Sequence, residues 1–160
     1  MTITPQELRK AMRNWATGIT VVTAEHEGTH HGMTVSSFTS LSLDPPLLSV
    51  SLYNTSRTNA LVTAAGKFGV TILAADQEEV SNSFAGRIPD NEDRFADCEV
   101  EYLLSSIPFI KGGLSYFECR VYKTIPVGTN TLFIGEIIEA KSQEDGDPLL
   151  YFNQKYGKLG

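Results

Sequence analysis

The chain has 160 residues, 41% hydrophobic, 9% aromatic and 20% charged, with a formal net charge of −6 at pH 7. This supplies the apolar material for one folded domain, residues 1–160, and excludes a disordered chain; the acidity argues against nucleic acid, whose phosphates are bound mainly by Lys and Arg. No apolar run reaches the roughly 18 residues of a membrane span, the opening MTITPQELRK lacks a signal-peptide apolar core, and Cys98 and Cys119 fit no metal or CxxC spacing.

A cytoplasmic protein with no membrane partner and no metal of its own is therefore expected. In chain order, Thr4, Pro5 and Glu7 form a helix start with a capping box. Leu8, Ala11, Met12 and Trp15 continue it with one apolar face, and Gly18 is predicted to end it. The β-branched run Ile19–Thr23 predicts a strand, and the Gly-bearing turn within Glu25–Gly32 a hairpin into Met33–Val35. Ser and Thr then alternate with Val, Phe and Leu as far as Leu43. Asp44-Pro45-Pro46 interrupts the pattern, and Leu47–Leu52 resumes it.

Thr55 or Ser56 caps a helix through Ala60, Leu61 and Ala64 that Gly66 stops. Phe68–Leu73 reads as a strand. Asp76 with Glu79 is a second capping-box pattern, opening a helix towards Phe84-Ala85. Gly86–Asp93 is a polar loop with Ile88 as its one apolar anchor, free to move until a ligand sits on it. Tyr116–Ile125 and Leu132–Ala140 form a long hairpin around the turn residues Pro126–Thr131. Many strands with few short helices predict a mainly β chain, a closed or partly closed antiparallel barrel.

Chemistry is harder to place. His26, His30 and His31 cluster in one hairpin, but adjacent strand residues point to opposite faces, so His30 and His31 do not share an ion readily; a solvated hairpin is expected. No Ser–His–Asp or Cys–His arrangement emerges, and Cys119, alternating with Phe117 and Val121, reads as core. The informative feature is hydroxyl-bearing residues in strands: Thr34, Ser36, Ser37, Thr39, Ser40 and Ser42 in one run, Ser49 and Ser51 in the next. They suit a flat polar heteroaromatic ring approaching the backbone, although a solvent-facing Ser/Thr side fits the same alternation. Directly after the second run, Asn54-Thr55-Ser56-Arg57-Thr58 places hydroxyls and a guanidinium at a helix start, an arrangement suited to a phosphate monoester. GxGxxG and GxxxxGK[ST] are both missing from the sequence.

Trp15–Thr23, His31–Ser40 and Asp44–Leu48 resemble motifs of the flavin reductase-like, FMN-binding split-barrel family, as do Ser56-Arg57-Thr58, Ser83–Gly86, Phe133–Glu136 and Pro148–Tyr151. The resemblance implies a Greek-key split β-barrel with a few short helices, a homodimer, and NAD(P)H:flavin oxidoreductase activity like that of the short-chain reductases serving two-component monooxygenases. It implies FMN, or FAD, with NADH or NADPH as co-substrate. On matching positions Thr34, Val35, Ser36 and Ser37 would face the ring and ribityl chain, with Ser51, Leu52 and Tyr53 continuing the wall. Ser56 and Arg57 would take the phosphate, and Phe84, Gly86 and Arg87 would close over that end. Asn130, where family members often carry His, and Tyr156 would lie on the nicotinamide side. The family's hydride chemistry belongs to the cofactors, so no catalytic side chain is expected. An FMN-bound electron carrier, a ferric reductase and a non-catalytic flavin binder are the other readings.

Overall fold

The computed structural model describes residues 2–160. Its frame is a seven-stranded antiparallel sheet of β2 (Thr20–His26), β3 (Thr29–Val35), β4 (Thr39–Leu43), β5 (Pro46–Tyr53), β6 (Lys67–Ile72), β9 (Ser115–Val127) and β10 (Asn130–Ser142). The order is β3-β2-β6-β9-β10-β5-β4, so the β9–β10 hairpin lies between β5 and β6 although those two follow one another in sequence. The sheet curls until its ends meet: beyond β3, the Ser37 hydroxyl donates to the Ser51 carbonyl of β5 and accepts from the Ser51 N–H, both at 3.0 Å. Smaller strands complete the fold: β1 (Thr17–Gly18) pairs with β11 (Leu150–Phe152), β11 with β12 (Lys155–Gly157), and β7 (Val100–Glu101) with β8 (Phe109–Ile110). This is the mainly β architecture expected.

Strand β2 shows why the sheet holds. Thr20–Ala24 are all buried, because apolar material covers both faces. Val22 joins Val50, Leu52, Phe68, Val70 and Phe133 in one core. Its neighbour Val21 points the other way, towards Ile19, Leu73, Phe84, Phe95 and Leu149. At about 25 cal/mol per Å² of apolar surface buried, each such Val or Leu contributes roughly 1.5–3 kcal/mol. The tight turn into β3 is made by Glu27 and Gly28, both at positive φ (51° and 82°), as a two-residue hairpin requires.

Helix α1 (Pro5–Met12) has the expected capping box, but it ends sooner than the apolar spacing predicts. Asn14 and Trp15 donate to the carbonyls three residues back, tightening the last turn, and Thr17–Gly18 leave to pair with Tyr151 and Leu150. The apolar face survives without a partner: α1 buries none of its residues, and Trp15 is 68% exposed.

Helix α2 (Arg57–Ala65) runs to Gly66 as read from the sequence, and of the two candidate caps, Thr55 and Ser56, it is Ser56 that caps it. The Asp76–Glu79 capping box does not form. Helix α3 (Glu78–Asn82) follows Gln77, whose side chain instead accepts from the Ala74 N–H at 2.9 Å and donates to the Lys111 carbonyl at 3.0 Å. A widened π turn, Ser83–Arg87, extends α3 and kinks at Gly86.

The β9–β10 loop is also shorter than predicted. Pro126 pairs with Thr131 inside the hairpin, leaving only Gly128-Thr129 in the turn. Pro126 is tolerated because β9 has no second partner beyond Arg120. Likewise Pro46 starts β5, opposite Leu43, rather than breaking the sheet.

Candidate functional site

The hydroxyl-rich strands do not form a plain solvent-facing side. Thr34, Val35, Ser36, Ser37, Ser51, Tyr53 and Asn130 line one cavity of about 230 Å³, collected from the end of β3 and the residues after it, the end of β5 and the start of β10. Ser36, Ser37 and Phe38 lie between β3 and β4, outside any ladder, so the backbone there is not committed to the sheet. The polar side chains are held from behind. Ser37 is fixed by its two bonds to Ser51, and the Thr34 hydroxyl donates to the Ser81 carbonyl at 2.6 Å. The Asn130 amide donates to Ser51 Oγ at 3.0 Å.

Asn54 sets the position of Asn130. Its Oδ1 accepts from the Thr131 hydroxyl at 2.7 Å and its backbone N–H donates to the Thr129 carbonyl at 3.0 Å, tying the β9–β10 turn to the end of β5.

Beyond Tyr53 the chain enters α2. The Ser56 hydroxyl donates to the Tyr53 carbonyl at 2.9 Å and accepts from the Asn59 N–H at 3.1 Å, so it is occupied in capping. Arg57 is exposed. Its guanidinium reaches the Asp90 carbonyl at 3.5 Å and forms no ion pair among the described residues. The anion-directed groups of this corner are therefore Arg57 and the first N–H groups of α2, rather than the Ser56 side chain.

Other predicted residues separate from this group. The Leu52 side chain is fully buried in the core, and Val35 nearly so; their carbonyls accept from the Asn59 amide at 3.4 Å and the Thr20 hydroxyl at 2.9 Å, so neither presents a free group to the cleft. Phe84 is also core, with its ring edge against Phe95 at 5.0 Å, so it does not close over the cleft. Gly86 lies exposed at the kink, and Arg87 donates to the Ser83 hydroxyl and the Glu79 carbonyl. Arg87 lines a different cavity, of about 470 Å³, with Arg94, Asp97 and Cys98. Tyr156 stands behind Thr34: its hydroxyl bonds Ser81 Oγ at 2.8 Å and donates to Asn82 Oδ1 at 2.9 Å.

The structure adds groups that the sequence did not single out. A larger cavity of about 590 Å³ adjoins the serine-lined one at Ser36 and Ser37, and is walled by Met12, Trp15, Thr17, Phe38 and Ile72 among others. The exposed Trp15, seven residues beyond Leu8, was the available signal, hidden by its reading as the end of a helix face.

Behind Arg57 lies a polar network. His31 is buried, not solvated: Nδ1 sits 2.8 Å from Thr58 Oγ1, and Nε2 is 3.3 Å from Asp90 Oδ1. Burial, then the positive charge of Arg94, pushes the imidazole down to about 4, with Asp90 opposing and Arg57 adding to the depression. Arg94, itself buried, donates to the carbonyls of Ile88 at 2.9 Å, Gly32 at 2.9 Å and Phe84 at 3.3 Å. The Gly86–Asp93 loop is thus pinned by Arg94 without any added ligand. Cys119 is core as expected, and burial pushes its thiol up to about 12.

Residues 12–160 match the model of the flavin reductase like domain. An NADH-dependent flavin reductase of Rhodococcus sp is 36% identical, over 98% of this chain and 88% of its own length. The reductase component of a 4-nitrophenol 4-monooxygenase/4-nitrocatechol 2-monooxygenase from Rhodococcus opacus is 34% identical, over 94% of this chain and 79% of its own. Among solved structures, the flavin reductase PheA2 superposes with a TM-score of 0.89 at 37% identity, covering 99% of both chains. With a matching family model over most of its length, relatives above 30% identity and the same strand frame, the chain belongs to the flavin reductase-like domain family.

Proposed function

We propose that this protein is an NAD(P)H:flavin oxidoreductase of one domain that binds FMN, or alternatively FAD, uses NADH or NADPH, and delivers reduced flavin to a separate monooxygenase. The observation that carries this reading is the cleft at Ser36–Phe38, where backbone outside the ladders and small hydroxyls meet and no acid–base pair is present among the lining residues. Such a donor set fits a flat ring bearing carbonyl oxygens and ring nitrogens. When bound, flavin and nicotinamide carry the hydride chemistry between them.

This chain's residues would then bind and orient. Thr34, Ser36 and Ser37 face the ring edge, and the free N–H groups of the Ser36–Phe38 segment offset negative charge there. Ser51 and Tyr53 continue the wall, with Val35 and Leu52 backing it from the core. Arg57 and the α2 N–H groups hold the phosphate. The Asn130 amide, held by Ser51, meets the carboxamide of the second substrate without becoming cationic. Tyr156 stiffens the end of α3 behind Thr34 rather than touching substrate.

The same reading includes a homodimer in the cytoplasm. It is supported by the uncovered apolar face of α1 and the turn after it, where Leu8, Met12 and Trp15 are each at least half exposed beside the larger cavity, and by Leu43 at the β4 edge. Light scattering would reveal a dimer, or a monomer that removes this part. Cys98 and Cys119 are free thiols, compatible with a reducing compartment.

The activity is tested by following NADH and NADPH oxidation with and without added FMN and FAD. Turnover dependent on added flavin supports the reductase; a yellow protein inert to both nucleotides overturns it in favour of a carrier or binder.

A further inference from the structure

We infer that Arg9 and Arg13 form a diphosphate-binding end to the cleft, which selects a dinucleotide over the corresponding mononucleotide. This rests on the flavin reductase reading above. The two arginines stand four residues apart at the end of α1, on one side of the helix, and both line a cavity of about 240 Å³. Met12, Trp15, Thr17 and Ser36 wall that cavity and also the 590 Å³ one, which in turn meets the serine-lined cleft at Ser36 and Ser37. One groove therefore runs from the serines to the arginines.

Three features make its far end suited to an anion. Neither arginine is ion-paired among the described residues, so both guanidiniums are free to meet a ligand. On a chain of net charge −6 this is a local excess of positive charge. The C-terminal end of a helix ordinarily repels anions, but here the Arg13 carbonyl is already bonded by the Asn153 N–H at 3.0 Å. That bond ties the Asn153-Gln154 turn, both at positive φ, against the helix as a fixed wall. Two planar guanidinium forks one helical turn apart match two adjacent phosphoryl groups better than one.

A diphosphate can come from the pyridine dinucleotide or from FAD, and binding separates the two. Titration calorimetry would compare NAD⁺ with nicotinamide mononucleotide, and FAD with FMN, on the wild type, the Arg9→Gln/Arg13→Gln double variant and the corresponding double Lys variant. Loss of a charge-assisted pair predicts a roughly tenfold weaker dissociation constant for the dinucleotide. The mononucleotide should be unchanged and the Lys variant should recover part of the loss. A selective loss for NAD⁺ assigns the subsite to the nicotinamide substrate, and one for FAD assigns it to the flavin. Unchanged dinucleotide binding, or an equal loss for mononucleotides and dinucleotides, overturns the inference. The wild type's NADH oxidation is scored separately, so an inactive wild type removes the reductase reading while the binding ratios still decide the subsite.

Discussion

Acid should destabilise this protein through His31, by an amount set by its surroundings. The ring is 2% exposed, with Thr58 on one nitrogen and Asp90 facing the other. Its pKa is held at about 4 against 6.5 for a free imidazole, chiefly by burial and then by Arg94 and Arg57, while Asp90 partly opposes them. The folded chain therefore holds a neutral ring, with Nδ1 accepting from the Thr58 hydroxyl and the proton assigned to Nε2 facing Asp90. Below 6.5 the unfolded chain takes up a proton that the folded chain refuses until near 4. This contribution to stability is accordingly complete above 6.5 and is lost as the pH falls towards 4. The full gap is worth roughly 3 kcal/mol, of which about 2 kcal/mol is lost between pH 7.5 and pH 5. Urea unfolding at one protein concentration, for wild type and His31→Gln, would measure it. Carboxylates with lowered pKa values, such as Glu25, affect both proteins alike and cancel in the difference. The wild type should lose about 2 kcal/mol more than the variant across that interval; parallel pH profiles would refute the argument.

Other perturbations probe the frame and the cleft. Arg57→Ala should weaken FMN far more than riboflavin, and equal ratios in wild type and variant would remove its phosphate role. Asn130→Ala should raise KM for NADH with little change in FMN affinity, read by steady-state kinetics beside a flavin titration. Arg94→Met strips donors from three carbonyls at once, so it should cost about 3 kcal/mol or more and expose residues 86–93 to proteolysis. In Gly135→Ala, the new Cβ would lie 2.6 Å from Phe68 Cζ and 2.8 Å from Cys119 Cβ, inside a closed core. A loss of about 1–3 kcal/mol in urea unfolding is expected, and an unchanged midpoint would mean that the core yields more easily than its packing implies.

The sequence by itself determined the elements whose signals are local. Hydrophobic and β-branched runs placed β2, β5, β6 and the β9–β10 hairpin, and a Thr55 or Ser56 cap with Gly66 bounded α2, because these preferences act within a few residues. It also marked Thr34, Ser36, Ser37, Ser51 and Arg57, since hydroxyls in a strand and a cation at a helix start are visible without a fold, whereas Val35 and Asn130 were marked only by the family resemblance. Only the tertiary structure decided which of them meet. Thr34–Ser37 reach Ser51 and Asn130 because β10 lies beside β5 and the curled sheet brings Ser37 to Ser51, contacts between residues up to about eighty positions apart. The same distant contacts overruled local patterns elsewhere. Gln77 rather than Asp76 precedes α3, its side chain drawn to the Ala74 N–H and the Lys111 carbonyl instead of capping the helix, and Phe84 went into the core against Phe95. His31, which pairing with Ala24 turns inwards, was buried against Thr58 and Asp90 rather than solvated. Acidity and size, read first, describe the surface and the class of chain. The geometry of its cleft is set by strand order and by the side chains that the order brings into contact.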